Sequence, residues 1–299
     1  MTSSPLRVCF SLDHGFLYPT LVALRALIRT SRTPLEIHII GVDLEEADWH
    51  AIETVCAARP GGGACLVRHP LASADHVPEV ARRLPMLSVL LLPRLTTGRI
   101  LYLDGDVLVT RDLAELFFRD MHGKPLSACK AVKNLIHVDL ARNRKAALVP
   151  FVRRNARKKL SNLARIVGDD SPEDYINSGV VLLDLDRIRA EPAVRDRMTD
   201  LRAAAQWRWP DQTWLFKTFR GRIDDLELKW NTYRGNAFRG AALLSPALRQ
   251  ALATSARNAA IVHFVGSRKP WKPWRGFPPM GARWFRRWRD IARDLPPDR

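Results

Sequence analysis

The chain has 299 residues, 46% hydrophobic and 26% charged, an ordinary globular balance that can bury one large core or two small ones. Its net charge of +17 is not ordinary: Arg119 to Gly168 holds thirteen Lys or Arg against two acids, and Arg268 to Arg289 holds eight against none. Such clusters attract nucleic acid, anionic membranes or phosphorylated substrates, while the absence of any apolar run near the roughly 20 residues needed to cross a bilayer excludes a spanning helix.

In chain order, Arg7 to Leu12 reads as a first strand with Asp13 just past its end, and Tyr18 to Ile28 has helical apolar spacing. Leu35 to Val42 is short and rich in β-branched residues, hence a second strand; Leu44 to Ala58 is helical and Ala64 to Val67 a third strand. Val80 to Leu95 reads as a helix that Pro85 kinks or restarts. Ile100 to Leu103 is a fourth strand. The rhythm breaks between His122 and Asp170, which reads as an inserted helical lid or acceptor-facing surface. Tyr175 to Asp184 is a turn feeding a buried strand, with Asp186 placed to cap the next helix. Trp209-Pro210-Asp211-Gln212 opens another helix, and Ile261 to Phe264 is a late short strand. Strands alternating with helices predict an α/β fold with a mostly parallel central sheet, whose ligands bind at the carboxyl ends of the strands.

Ile100-Leu101-Tyr102-Leu103-Asp104-Gly105-Asp106-Val107 is the stretch richest in chemistry. Residues i and i+2 of an extended chain point to the same side, so Asp104 and Asp106 can converge on one hard cation at a strand end. Carboxylate oxygens suit magnesium or manganese, ions that usually serve phosphate-bearing substrates. Asp-Gly by itself is also a hairpin-turn signal. Cys9, Cys56, Cys65 and Cys129 show neither a Cys-x-x-Cys pair nor zinc spacing and read as reduced, mostly buried thiols. With no basic head and apolar core after Met1, they give the expectation of a cytoplasmic protein.

Four features occur in order: Asp13 after the first strand, the Asp104/Asp106 pair, Asn177-Ser178-Gly179, and His263-x-x-Gly266-x-x-Lys269-Pro270-Trp271. Together, from about Val8 to Trp271, they resemble glycosyltransferase family 8, retaining metal-dependent transferases of the GT-A type. The resemblance implies a single Rossmann-like catalytic domain over 1–266, in which the break in rhythm at about 122–170 is the lid; composition marks 267–299 as a basic, aromatic tail. It implies that Asp104, Asp106 and His263 bind Mn2+ or Mg2+ and that Ser11, Leu12 and Asp13 hold uridine. Gly105 would lie between the ligands, and Gly266 and Lys269 would hold the phosphates of a UDP-sugar. Asn177, Ser178, Asp211 and Gln212 would line the donor sugar, with Gln212 near the anomeric carbon. The implied reaction moves glucose or galactose to a glycan or glycolipid acceptor such as lipopolysaccharide core.

The chain departs from the family in two places. Leu87-Ser88-Val89 stands where a Tyr-Ala-Arg with a donor-contacting Arg is common, leaving Arg82, Arg83 or Arg94 as substitutes, and Gly15 replaces a frequent Asn. A haloacid-dehalogenase-type phosphatase also ends a strand with Asp-x-Asp, but leaves His263 to Trp271 unexplained. A nucleic-acid-binding module would interleave aromatic residues with the basic cluster, and Arg142 to Arg165 holds only Phe151; no nucleic-acid partner is expected. In the tail, Trp284, Phe285, Trp288 and Ile291 share one helical face opposite Arg283, Arg286, Arg287 and Arg289, joined by Trp271, Trp274 and Phe277 nearby. That pattern describes a helix lying on an anionic membrane, hence a peripheral enzyme of the inner face of the cytoplasmic membrane, or else a helix packed onto the catalytic domain.

Overall fold

The computed structural model describes residues 4–59, 64–168, 172–233, 241–273, 282–293 and 295. The first half alternates as read: β1 (Leu6–Leu12), α1 (Leu17–Thr30), β2 (Leu35–Val42), α2 (Glu46–Ala57) and β3 (Cys65–Leu71). β3 runs four residues past the expected Val67, and it tolerates Pro70 because it is the sheet's edge strand. The helix expected over Val80 to Leu95 is instead broken into the single turn α3 (Pro78–Ala81) and a run in which α4 (Leu84–Leu87) is joined to α5 (Leu92–Leu95) by a 3-10 turn (Ser88–Leu91), each α turn with a proline near its start. Pro85 and Pro93 have no N–H to extend a preceding helix, so each restarts the turn.

β4 (Arg99–Leu103), β5 (Val107–Val109), α6 (Ala114–Phe117) and β6 (Leu126–Lys130) follow. Then come α7 (Val132–Arg142), α8 (Arg144–Ala147) and α9 (Pro150–Val167), so the segment expected to be a helical insertion over 122–170 has a sheet strand at its start. Leu126, Ser127 and Ala128 are drawn into the sheet by pairing on both sides. The remaining elements are β7 (Ile176–Asp184), α10 (Leu185–Arg189), α11 (Pro192–Met198), α12 (Leu201–Ala205), α13 (Pro210–Thr218), β8 (Ile223–Asp225), β9 (Thr232–Tyr233), α14 (Pro246–Arg257), β10 (Ile261–His263) and α15 (Ala282–Ala292). Asp184, not Asp186, caps α10, accepting from Arg187 N at 3.0 Å, while Asp186 accepts from Gly98 N at 2.8 Å.

The central sheet has the order β3-β2-β1-β4-β7-β6-β8. β7 pairs antiparallel with both β4 and β6, and every other pairing is parallel, so β7 runs against the other six. Alternate residues feed two cores. Val8, Phe10, Leu101, Leu103, Val180 and Leu182 join α1 on one face, while Cys9, Ile100, Tyr102, Val181 and Leu183 join α12 and α13 on the other. Both faces are therefore covered, giving three layers. A small sheet, β5-β10-β9, stands beside the end of β4, and a third cluster fills the space between α7, α9 and α14. Among the described residues, no helix is long and apolar enough to cross a membrane.

The tail corrects one expectation. The aromatic face of α15 meets the catalytic core: Trp284, Phe285 and Trp288 are 8%, 2% and 1% exposed. Trp288 packs edge-on against Tyr18 of α1 at 5.8 Å and lies 5.5 Å from Trp271, and Phe285 meets Phe264 at 5.3 Å. These side chains cannot also enter a lipid surface; the stripe faces the apolar surface already beside it. Trp274 and Phe277 lie outside the described residues.

Candidate active site

Strand direction assembles the site. β1 and β4 both end at the same sheet edge, delivering Asp13 and Asp104, and antiparallel β7 begins there, delivering Asn177, Ser178 and Gly179. Asn177-Ser178-Gly179 is thus strand rather than the turn expected, because β6 and β4 flank it. Asp104 N donates to Gly179 O at 3.0 Å. After Asp106 the chain pairs with β10, which sets His263 opposite Val107, and Phe264 N donates to Asp106 O at 3.0 Å. Gly105 is required at the bend between the two aspartates, since a Cβ there would lie 2.2 Å from Thr20 Oγ1.

One ligand atom each from Asp104, Asp106 and His263 lies within 4.8 Å of the others, and among the described residues this is the group able to hold a metal. His263 Nε2 is 3.0 Å from Asp106 Oδ1 and 3.5 Å from Asp104 Oδ2. His263 Nδ1 is 3.0 Å from Asn231 Oδ1, an oxygen that can only accept, so Nδ1 carries a proton and Nε2 is the nitrogen offered to the carboxylates. Two carboxylates and an imidazole oriented through its other nitrogen form a donor set that fits manganese or magnesium.

The electrostatics divide the pair. Burial, followed by repulsion from Asp106 and Asp211, raises Asp104 to about 7 despite the attraction of His263. Burial also opposes the Asp106 charge, but His263 and Lys269 outweigh it and hold that carboxyl below the usual range. Burial opposes a charged His263, and the two aspartates reverse this and raise it. Lys269 Nζ donates to Asp106 Oδ2 and, at 2.9 Å, to Phe264 O, while Gly266 turns the intervening loop at φ 94°. His263 and Lys269 therefore keep Asp106 ionised, and a divalent charge would do the same for Asp104.

A chain of amides runs from the triad to Gln212. Asn231 Nδ2 donates to Asn177 Oδ1 at 2.7 Å, and Asn177 Nδ2 donates to Gln212 Oε1 at 3.0 Å. Asp211 sits in the first turn of α13, hydrogen-bonded by Ser178 and by backbone N–H groups, with burial raising its pKa. Asn231 was not expected from the sequence. It is an isolated polar residue between short elements, and only the fold shows that it joins the imidazole to Asn177 and, through it, Gln212.

The other expected residues are placed with different emphasis. Ser11 Oγ donates to Pro85 O at 2.8 Å and meets Ser88 Oγ, so its side chain ties β1 to α4. Leu12 is buried, and Asp13 caps the turn after β1 by accepting from Phe16 N at 3.0 Å. Val89 is buried in the core. Arg83 Nη1 donates at 2.7 Å to both Ala205 O and Trp207 O, tying α4 to the approach to α13. Arg82 and Arg94 are exposed.

A sequence search of curated proteins returns no match. Solved structures do match. The apo structure of the bifunctional glycosyltransferase WbbM is 16% identical with a TM-score of 0.75, covering 98% of this chain and 50% of that one. The galactosyltransferase LgtC, solved with donor and acceptor sugar analogues, is 20% identical with a TM-score of 0.70, covering 97% and 96%. GlyE of Streptococcus pneumoniae is 19% identical with a TM-score of 0.64, covering 97% and 60%. The chain spans half the length of WbbM, and at these identities the three establish the fold, which is the expected GT-A type. The family model described as glycosyl transferase family 8 matches residues 7–275, and the phosphatase alternative gives way to it. The chain belongs to glycosyltransferase family 8 and is a glycosyltransferase.

Proposed function

We propose that this transferase moves a hexose, glucose or galactose, from a UDP-sugar to a glycan or glycolipid acceptor with retention of configuration. The observation that carries the reading is the Asp104, Asp106 and His263 group at the ends of β4 and β10, with His263 oriented by Asn231. These three residues would hold manganese or magnesium, which supplies Lewis-acid neutralisation of the charge on the departing UDP. Lys269 brings a cation beside Asp106 for the donor's phosphates, and the backbone at Gly266 serves the same group. Ser11, Leu12 and Asp13 lie at the strand end assigned to uridine. Asn177, Ser178, Asp211 and Gln212 line the sugar, held in register by their mutual hydrogen bonds. Gln212 is assigned to the anomeric carbon, where a neutral amide favours attack from the face the leaving group departs.

The acceptor is assigned to the lipopolysaccharide-core class and the enzyme to the inner face of the cytoplasmic membrane, as a peripheral protein. What supports the location is the corner between α8 and α9. Leu148, Val149 and Phe151 are 84%, 37% and 63% exposed there, among the exposed Arg144, Lys145, Arg154, Arg157 and Lys158. Apolar side chains set among cations suit an anionic lipid surface, which attracts each nearby cation by about 1 kcal/mol.

The activity is tested by incubating the protein with UDP-glucose and UDP-galactose, in manganese or in chelator, and following the sugar by proton NMR. The reading requires metal-dependent UDP release with the α-configuration of the donor kept in the first-formed product. A β-configured first product, or equal turnover in chelator, overturns it.

A further inference from the structure

Beside the amide chain lies a cavity of about 490 Å3, within the roughly 300–1,000 Å3 typical of ligand sites. Asn177, Gln212 and Asn231 belong to its floor, so it opens directly onto the residues assigned to the donor sugar. Trp209 and Tyr233 contribute aromatic rings to its lining, each with a cation over one face. Its charge is one-sided: Lys130, Lys133, Lys159 and Arg208 line it, with no Asp or Glu among the described residues that do so.

These cations are not equivalent. Lys130 is neutralised by Asp174 at 3.0 Å and Asp225 at 3.3 Å, and is part of the framework. Lys133 lies 5.3 Å over the Tyr233 ring and Arg208 5.1 Å over the Trp209 ring. Among the described residues, neither these two nor Lys159 has a carboxylate partner. Lys133 and His137 are four residues apart on α7, hence on one helix face, and Lys159 comes from α9 opposite. His137 also lines the cavity, and its Nδ1 is buried with no hydrogen-bond partner among the described residues. Lys133, Lys159 and Arg208 are exposed, so water solvates them, but together they make this side of the cavity electropositive and favour an anionic ligand. A neutral sugar would supply hydroxyls but make no use of that field.

We propose, resting on the transferase reading above, that this cavity is the acceptor subsite and that it selects an acceptor sugar bearing a phosphate monoester. Lys133 and Lys159 bind the phosphate, with His137 within their electrostatic reach and Arg208 as a further cation on the lining. The anion belongs to the acceptor rather than to the donor because Lys133, His137 and Lys159 are on the inserted helices α7 and α9, whereas the donor's phosphates have Lys269 at the metal group. Burial, then the charges of Lys159 and Lys133, push His137 down to about 4; a bound phosphate reverses that field and raises it.

The test uses the intact protein with manganese and UDP-hexose, comparing methyl glycosides of glucose, galactose and mannose with their 6-phosphates as acceptors. A tenfold or greater fall in KM for a phosphorylated probe is expected, shrinking towards unity in Lys133→Gln/Lys159→Gln and at high salt. In parallel, titration of the His137 ring protons by NMR is expected to show an upward pKa shift with the 6-phosphate and none with the neutral glycoside. Equal KM values for the two probe classes, or a preference that survives the double variant, would overturn the proposal. So would a preference for UDP-hexuronates over UDP-hexoses that the double variant abolishes, since the anion would then sit on the donor. If no UDP-sugar is turned over with any probe, the transferase reading fails. The His137 titration still shows whether the cavity binds the phosphorylated sugar.

Discussion

The ring of His263 fills the space above Gly179: a Cβ on Gly179 would lie 2.1 Å from His263 Cε1 and 2.6 Å from Asp104 Oδ2. The glycine is therefore what lets β7, β4 and β10 bring imidazole and carboxylate together. Gly179→Ala is expected to push His263 out of line with Asp106. It should lower manganese affinity and turnover by about 100-fold, the upper range for disturbed metal-ligand support, while near-ultraviolet circular dichroism stays native. Metal titration by calorimetry checks this, and wild-type affinity would show that the close packing is incidental to binding.

The tail helix gives a stability prediction. Trp288 is 1% exposed and packs against Tyr18 and Trp271, so Trp288→Ala removes a large buried side chain. A loss of about 3–5 kcal/mol is expected on urea unfolding. Unchanged stability would mean that α15 detaches easily and that its aromatics are free for another surface.

His137 gives a pH prediction. Burial, then Lys159 and Lys133, lower it from its ordinary 6.5 to about 4. Between those values the unfolded chain holds the proton and the folded chain does not, so acidification favours unfolding. The contribution is complete above 6.5 and is lost as pH falls towards about 4. The stability difference between wild type and His137→Gln, measured by denaturation across this window, is expected to shrink with acid; a difference independent of pH would contradict the assignment.

For the membrane surface, Leu148→Ser/Phe151→Ser is expected to reduce flotation with vesicles containing anionic lipid, and to leave thermal stability unchanged because both side chains are exposed. Arg286→Gln/Arg287→Gln, on the outer face of α15, should weaken flotation less. Flotation lost only in the arginine variant would return the contact to the tail.

The strands that build the site were legible because β1, β4 and β7 are apolar runs buried on both faces, and such runs have few alternative structures. Asp104 and Asp106 were legible because two carboxylates one apart interrupt an apolar strand, although a bend at Gly105, and not the period of two expected of an extended chain, brings them together. Other features depend on neighbours. Asn177 to Gly179 has turn chemistry and becomes strand only because β4 and β6 pair with it. Asn231 acquires its role from contacts with residues 32 and 54 positions away. The α15 stripe has the same pattern whether its apolar face meets lipid or protein, so only the packing of Trp284, Phe285 and Trp288 distinguishes the two.

The metal group is tested most directly by UDP release from UDP-glucose and UDP-galactose, with manganese or with chelator, in wild type, Asp104→Asn and Asp106→Asn. Wild type should turn over only with metal, and both variants should lose at least about 1,000-fold, as expected when charge stabilisation at the leaving group is removed. Circular dichroism should show all three folded. Metal-independent turnover, or a folded Asp106→Asn with wild-type rates, would contradict the assignment of Asp104, Asp106 and His263 as the catalytic metal site.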